Sequence, residues 1–369
     1  MFFVLYLAQP MLSLNKIIIT HFKNYDLSSF ALSQNVVGIC GLNGKGKTNF
    51  LDAIYYCCFT KSYFSSTDSL NVNFDKDGFR LEAYFRKQEQ QQKVICINRG
   101  FNRKELSLND VPYDKFSSHI GLLPVVMIAP DDIELITGSS DSRRKFIDTV
   151  ISQIDPAYLQ QLIIYNKILQ QRNSLLKRMD EDRGNSMLLQ VYDDQLVEPG
   201  TMIHKKRKKF LELLIPLVQQ FYHMISENAE IISLEHVSQL NDFVFRDLLV
   251  QSRQKDLLLQ RTNAGIHKDD IAFGLNDQVF KQIASQGQRK SLLFALKLAE
   301  FELLKTDKGF APLLLLDDVF EKLDNRRMQQ LLKWVCTENK GQVFITDTHK
   351  ERLEEAFDSL DVPYQVIEL

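Results

Sequence analysis

The sequence has no dominant charge of either sign. Its 45 Lys and Arg residues stand against 47 Asp and Glu residues, which leaves a net charge of −2 at pH 7. A near-neutral chain does not attract polyanions over its whole surface, so any contact with nucleic acid must come from a local basic patch. Hydrophobic residues make up 44% of the chain and charged residues 25%, which is typical of a soluble globular protein and excludes a disordered one.

Cysteine is scarce as well. The odd number leaves one cysteine over from any pairing, and the spacing matches no metal-binding motif; the five residues are Cys40, Cys57, Cys58, Cys96 and Cys336. This pattern excludes a disulfide framework and favours a reducing compartment. We therefore expect a cytoplasmic protein, and the cysteines predict no zinc site.

Long hydrophobic runs are also missing. The first ten residues, MFFVLYLAQP, are apolar but too few to span a bilayer, and they lack the positive leader and cleavage site of a signal peptide. We therefore expect no membrane partner. A second methionine, Met11, precedes a stretch that predicts a strand, a turn and a second strand. We interpret residues 1–10 as an N-terminal extension, with Met11 the expected start; a genuine first strand within 1–10 is the alternative.

The most informative stretch is GLNGKGKT at 41–48, which fits the phosphate-loop template Gly-x4-Gly-Lys-Ser/Thr. The β-branched run at 35–40 predicts a buried strand before it, and residues 49–59 have apolar positions at helical spacing after it. In this context backbone N–H groups and the positive end of a helix dipole point at an anion. We expect Lys47 to reach the terminal phosphates and Thr48 to ligate Mg²⁺. The predicted nucleotide-binding residues are Gly41, Leu42, Asn43, Gly44, Lys45, Gly46, Lys47 and Thr48.

Two aspartates, Asp317 and Asp318, directly follow four leucines in APLLLLDD. The leucines predict a buried strand, and in a parallel sheet the carboxyl ends of the strands carry the ligand sites. One carboxylate can hold a magnesium ion while the next accepts a proton from attacking water. The alternative is a pair of carboxylates that only caps a helix.

A third candidate begins at Ser285. Apolar residues recur at helical spacing after it, which places the sequence SQGQ at a helix N-terminus with Ser285 as the cap. A helix N-terminus favours anions, although most capped amphipathic helices bind nothing.

The order of these motifs resembles the ATPase heads of the ABC superfamily, and in particular the RecF family of bacterial recombinational-repair proteins. The resemblance covers the chain from about residue 11 to its end. It rests on GLNGKGKTN, SQGQRKSLLFALKLAE, LLLLDDVFEKLD and FITDTH, and on three stretches that generic transporter ATPases lack: HFKNY (21–25), APDDIELITGSSDSRRKFID (129–148) and HKDD (267–270). It implies an α/β fold with a mixed β-sheet and helices.

The resemblance also implies roles for the site residues. Walker A would be residues 41–48, Walker B would end at the metal ligand Asp317, and Asp318 would stand at the position of the catalytic carboxylate. In this superfamily the signature motif of one subunit closes over the γ-phosphate bound by the Walker A of another, so ATP joins two heads. The residues at the place of the signature motif are Ser285, Gln286, Gly287 and Gln288.

The function implied is an ATP-dependent DNA-binding protein of recombinational repair with weak, DNA-dependent ATPase activity. Double-stranded DNA, single-strand/double-strand junctions and an ATP-dependent homodimer are the expected partners, together with RecR, and with RecO and RecA in the same pathway. ATP and Mg²⁺ are the expected cofactors. The alternative is an SMC-like scaffold or clamp in which hydrolysis is incidental.

Some positions depart from the superfamily pattern. No glutamine stands near Asp131, where a glutamine loop is expected, and Asp318 replaces the usual glutamate. His349 falls two residues beyond the expected switch histidine, where Asp347 stands instead. Ile266-His267-Lys268 stands where RecF-like sequences usually show Pro-His-Arg, and a lone histidine such as His267 is more often structural than catalytic.

The chain is predicted to form a discontinuous head, 11–131 and 256–369, with an inserted helical domain at 132–255. Helical spacing of apolar residues characterises the insertion. We expect the prolines at 156, 199 and 216 and the Gly184 region to divide it into helices of ordinary length, which excludes the long coiled coil of SMC proteins.

Basic residues cluster at three places, including NRGFNRK at 98–104. Such clusters bind phosphate backbones without regard to base sequence, although a solvated helix face is about equally expected for any one run. Five consecutive basic residues wrap around a helix, so they cannot all face one ligand. The predicted DNA contacts are Arg143, Arg144, Lys205, Lys206, Arg207, Lys208 and Lys209.

Overall fold

The computed structural model describes residues 12–100, 103–178, 183–226, 230–321 and 325–369. The predicted N-terminal extension and the choice of Met11 as the start lie outside these residues. The described residues form both strands and helices, as predicted for an α/β protein.

The described strands form three sheets. In chain order they are β1 (Leu12–Phe22), β2 (Tyr25–Ala31), β3 (Val36–Cys40), β4 (Phe79–Lys87), β5 (Gln90–Arg99), β6 (Arg103–Leu108), β7 (Val111–Pro112), β8 (Val125–Ile128), β9 (Ile232–Val237), β10 (Asp270–Leu275), β11 (Gln278–Val279), β12 (Leu313–Leu316), β13 (Val343–Asp347) and β14 (Tyr364–Glu368).

The described α-helices range from one turn to 44 residues. In chain order they are α1 (Lys47–Phe59), α2 (Glu134–Thr137), α3 (Ser140–Ile154), α4 (Pro156–Leu176), α5 (Arg183–Ser226), α6 (Phe245–Leu259), α7 (Phe280–Ile283), α8 (Gln286–Lys308), α9 (Asn325–Lys333) and α10 (Lys350–Asp358). None of them is both long enough and apolar enough to cross a membrane.

A five-stranded parallel sheet in the order β14-β3-β13-β12-β8 lies at the centre. Strands β3, β8, β12 and β13 are buried on both faces, which accounts for their mainly apolar sequences, whereas β14 at the edge is only partly buried. Leu313 and Leu315 of β12 pack into the core that contains α1, whereas Leu314 and Leu316 pack into the core that contains α8. All four leucines are fully buried, as the sequence predicts for the strand before the paired aspartates.

The first core lies between the parallel sheet and a six-stranded antiparallel sheet in the order β2-β1-β4-β5-β6-β7. Helix α1 contacts strands of both sheets. Eleven of its 13 residues are therefore buried, which a helix with a single apolar stripe would not show. This packing fixes the helix whose first turn carries Lys47 and Thr48.

The second core joins α8 to α3 and α5, and the region 132–255 is mainly helical, as predicted. One strand within it, β9, pairs antiparallel with β10 and so ties this region to the C-terminal part of the chain. The domain boundaries themselves stay a prediction.

The expectation that prolines divide this region into helices of ordinary length is wrong for α5. This helix runs for 44 residues with Pro199 and Pro216 inside it. A proline removes one backbone hydrogen bond, but a buried stripe along α5, which includes Leu196 and Leu214, packs against α4 and α8. Tertiary packing therefore outweighs the local preference.

Candidate nucleotide site

The phosphate loop lies between the end of β3 and the start of α1. Three of its glycines have positive φ: 152° at Gly41, 83° at Gly44 and 108° at Gly46. A Cβ on Gly46 would lie 2.7 Å from the Asn24 side chain. A residue with a side chain would therefore be strained at this position, because both the backbone angle and the space require glycine.

The first turn of α1 has its backbone N–H groups available for an anion. Gly46 is the N-cap, and no side chain caps the helix. The unpaired N–H groups and the helix dipole together form an anion site at this end. Lys47 is 6% exposed, and its ammonium group donates to the Gly41 carbonyl at 2.7 Å.

Residues 21–25 hold this loop from the side. Tyr25 donates its hydroxyl hydrogen bond to the Gly46 carbonyl at 3.1 Å, and Asn24 donates to the Lys45 carbonyl at 3.1 Å. Their role was missed in the sequence, although HFKNY was among the family-specific stretches. An aromatic or amide side chain in the turn between two strands does not by itself indicate which loop it contacts.

Thr48 and Asp317 meet as predicted. The Thr48 hydroxyl donates to Asp317 Oδ2 at 2.9 Å, although 269 residues separate the two in sequence. Asp317 is 4% exposed, and burial raises its pKa above the usual carboxyl range. A hydroxyl and a carboxylate in contact beside an anion site fit the oxygen ligands that Mg²⁺ prefers.

Thr346, at the end of β13, is a site residue that sequence reasoning missed. Its hydroxyl donates to Asp317 Oδ1 at 2.8 Å and accepts from the Asp318 backbone N–H at 2.9 Å. Because β13 lies between β3 and β12 in the sheet, its carboxyl end falls between the phosphate loop and the aspartates. The available signal was a polar residue at the end of a buried strand.

Asp318 has a φ of 49°, in the left-handed region. Residues without a glycine's freedom adopt this region rarely, and such positions concentrate at functional sites. Its side chain is partly exposed, unlike that of Asp317. The two neighbouring carboxyl groups therefore lie in different environments, as a division between a metal ligand and a general base requires.

His349 is exposed, and its backbone N–H donates to the Asp347 carboxylate at 2.8 Å. Asp347 is 1% exposed and accepts a hydrogen bond from Arg352 at 2.6 Å. The buried last position of β13 is thus held by an aspartate paired with an arginine, and His349 lies beyond it as the N-cap of α10.

The signature-like residues form a capped helix start, as the sequence predicts. Ser285 accepts from the Gln288 N–H at 3.2 Å, and Gln288 accepts from the Ser285 N–H at 2.6 Å. Ser285 and Gln286 are exposed. Across the described ranges no hydrogen bond or ion pair links residues 285–288 to residues 41–48, so a single chain does not join the two motifs.

Two predicted DNA contacts, Arg143 and Arg144, make hydrogen bonds within the chain. Arg143 is 9% exposed and binds both oxygens of Asp270, at 2.6 and 3.0 Å. Arg144 donates to the Asp269 carbonyl at 2.8 Å. Two family-like stretches, 129–148 and 267–270, are therefore bound to each other, with Arg143 buried in the contact and Arg144 partly exposed.

The run at 205–209 divides into two faces of α5. Arg207 is 2% exposed and lies between Asp148 and Asp269, so its assignment as a DNA contact is wrong in this conformation. Buried positions recur along α5 at helical spacing, and residue 207 falls on this buried stripe. The composition of the run does not show which of its residues lies on the stripe. The four lysines of the run are exposed, and Lys206 pairs with Asp155 at 2.7 Å.

Comparisons with known proteins agree with this geometry. The family described as RecF/RecN/SMC N terminal domain matches residues 13–367. The DNA replication and repair protein RecF of Flavobacterium johnsoniae is 40% identical over 357 residues, which cover 96% of this chain and 99% of that protein.

Two solved structures match over nearly the whole chain. The recombination mediator protein RecF-ATPrS in the RecFOR pathway has a TM-score of 0.87 and 30% identity, and the match covers 98% of this chain and 96% of that one. The corresponding RecF-ATP structure has a TM-score of 0.85 and 32% identity, with 93% and 94% covered. These matches confirm the predicted ABC-type fold, and the chain belongs to the RecF family of ATPases.

Proposed function

We propose that this protein is an ATP-dependent DNA-binding protein of recombinational repair in which nucleotide joins two heads on DNA. One observation carries the proposal. The Thr48 hydroxyl of Walker A lies 2.9 Å from the Asp317 carboxylate at the end of Walker B. Ser285, in contrast, is exposed at the start of another helix. Each chain thus presents two halves of a site, and a second copy is needed to close it.

Within one half, the residues have separate tasks. The N–H groups of the phosphate loop and the Lys47 ammonium group would hold the phosphates. Thr48 and Asp317 would hold Mg²⁺, which supplies charge neutralisation at the phosphates when bound. Asp318 would accept the proton of the attacking water, since its carboxylate is partly exposed and emerges beside Asp317.

The other half is the exposed turn at 285–288. Its helix dipole and the Ser285 hydroxyl are suited to the γ-phosphate held by the partner head. Loss of that phosphate on hydrolysis would remove the link, so nucleotide chemistry would shift the population between paired and separate heads. ATP would hold the two heads together, and its hydrolysis would release them.

DNA would contact the exposed face of α5 through Lys205, Lys208 and Lys209. These lysines lie on the side of the helix opposite the buried stripe. Lysine contacts to phosphate are independent of base sequence, which suits a protein that binds double-stranded DNA and junctions at gaps rather than a base motif. The resemblance to RecF proteins supports RecR as a partner, with RecO and RecA in the same pathway.

ATP turnover measured against protein concentration, with and without a gapped duplex, tests this proposal. We expect a rate that rises more than proportionally with protein and rises again with DNA. A rate that is linear in protein and indifferent to DNA would favour the alternative, a scaffold or clamp in which hydrolysis is incidental.

A further inference from the structure

Three buried side chains come together where α5 meets the β9–β10 sheet. His204 lies on α5, His236 on β9, and Asp269 just before β10. One ligand atom from each lies within 4.8 Å of the other two. His204 is 8% exposed, and the side chains of His236 and Asp269 are 9% and 2% exposed, so the three groups are screened from solvent.

Polar atoms in this cluster lack partners. Within the part of the chain that the structure describes, the two ring nitrogens of His236 and the Oδ1 of Asp269 make no hydrogen bond. The nearest approach, from His236 Nε2 to Asp269 Oδ2, is 3.7 Å, too long for a hydrogen bond. Buried polar atoms without partners are rare and destabilising, so three in one place need an explanation.

The surrounding charges favour a cation. Arg207 contributes one positive charge, and the two carboxylates that bind it, Asp148 and Asp269, contribute two negative charges. Apart from the two histidines, this group carries a net charge of −1. Arg207 binds Oδ2 of Asp269 at 2.9 Å and leaves Oδ1 for another ligand.

We propose that His204, His236 and Asp269 form a binding site for a divalent transition metal of the Zn²⁺ type. Two imidazoles and one carboxylate are a common donor set for such ions, with a fourth position for water. Tetrahedral coordination places ligand atoms about 3.3 Å apart, so the three side chains would close by roughly an ångström on binding. The metal would fix α5 to the β9–β10 sheet. It would thereby also fix the orientation of the exposed face of α5 that carries Lys205, Lys208 and Lys209.

The site is independent of the cysteines and of the nucleotide site. Sequence reasoning about zinc rested on cysteine spacing, and the three ligands here are 32 or more residues apart in the chain. Such a set carries no motif and becomes visible only when the fold brings it together.

Co²⁺ is the probe for the test, because its visible absorption reports inner-sphere coordination, with Mg²⁺ present in excess to fill the nucleotide site. The full chain is first treated with a chelator and then titrated. We expect one equivalent to bind with visible bands, and Zn²⁺ to displace it and raise the melting temperature. His204→Asn and His236→Asn should each weaken binding by about a hundredfold. His223→Asn, an exposed histidine on the same helix, is the matched control.

Absence of a stoichiometric Co²⁺ or Zn²⁺ complex in the wild-type chain would overturn the proposal, whatever the variants do. Binding that persists unchanged in both histidine variants would overturn it as well, because the ion would then lie elsewhere. The ATPase measurement is separate, so failure of the metal site leaves the proposed function untouched.

Discussion

The nucleotide site and the helix α5 differ in how far their sequences determine their roles. At the nucleotide site, Gly41, Lys47 and Thr48 are held by a single strand–loop–helix turn, and their positions follow from local backbone geometry. On α5, Lys205 and Arg207 are two residues apart, yet one is exposed and the other is 2% exposed in the core. Position on a helix face decides between the two, and only packing shows where the faces lie.

This difference teaches that residue type is a reliable guide where the backbone supplies the binding groups. It is a poor guide where side chains must choose between solvent and a buried partner. An arginine in a basic run is suited to DNA phosphates and to buried aspartates alike, because its planar guanidinium binds both. Four variants test this difference between the nucleotide site and α5.

Replacement of Lys47 by Ala should have the largest effect on ATP binding. The variant loses the ammonium group held 2.7 Å from the Gly41 carbonyl, and we expect ATP affinity to fall by about a thousandfold, or about 4 kcal/mol. Isothermal titration with ATP and Mg²⁺ measures it. Lys45→Ala is the matched control, because that side chain is exposed and its residue serves the loop through its backbone. Equal losses in the two variants would contradict the assignment.

Asp318→Asn should leave ATP binding intact and slow turnover by about a hundred- to ten-thousandfold, the range for loss of a general base. Light scattering with saturating ATP should show a long-lived dimer. Asp317→Asn is the contrast, since it should weaken Mg²⁺-dependent ATP binding itself. An Asp318→Asn variant that stays monomeric with saturating ATP would contradict the proposal that ATP joins two heads.

Arg207→Met tests the buried side of α5. Removal of the guanidinium leaves the buried Asp269 and the partly buried Asp148 without their arginine partner, which should lower the unfolding free energy by about 3–5 kcal/mol. Urea denaturation measures the loss. A variant that is as stable as the wild type but binds DNA more weakly would support the original prediction that Arg207 contacts DNA.

The exposed side of α5 is tested by Lys205, Lys208 and Lys209 changed together to Glu. We expect DNA affinity at low salt to fall at least about tenfold, and the slope of log affinity against log salt to decrease by roughly 2 to 3. Lys206 is left in place because it pairs with Asp155. The unfolding free energy should change little.

The matched control reverses three exposed lysines elsewhere, Lys115, Lys167 and Lys177, for the same change in net charge. Equal loss of DNA affinity in both triple variants would show an effect of net charge and would remove the α5 face from consideration.

Much of the fold followed from the sequence where patterns are local. The strand before the phosphate loop, the leucine strand before Asp317 and the cap at Ser285 are confirmed. The unbroken α5 was missed because contacts with α4 and α8 outweigh two prolines. Thr346 was missed because its contact with Asp317 depends on the order of the strands in the sheet, which the sequence does not show.

If two chains share one nucleotide site, a mixture of two inactive variants should regain activity that neither variant has alone. Lys47→Ala lacks a working phosphate loop, and Ser285→Arg blocks the signature turn. We predict that each alone is inactive with ATP and gapped DNA, and that the mixture recovers ATPase activity, because one of the two sites in a mixed dimer is intact. A mixture no more active than its parts, although the two variants are shown to associate, would contradict the shared site.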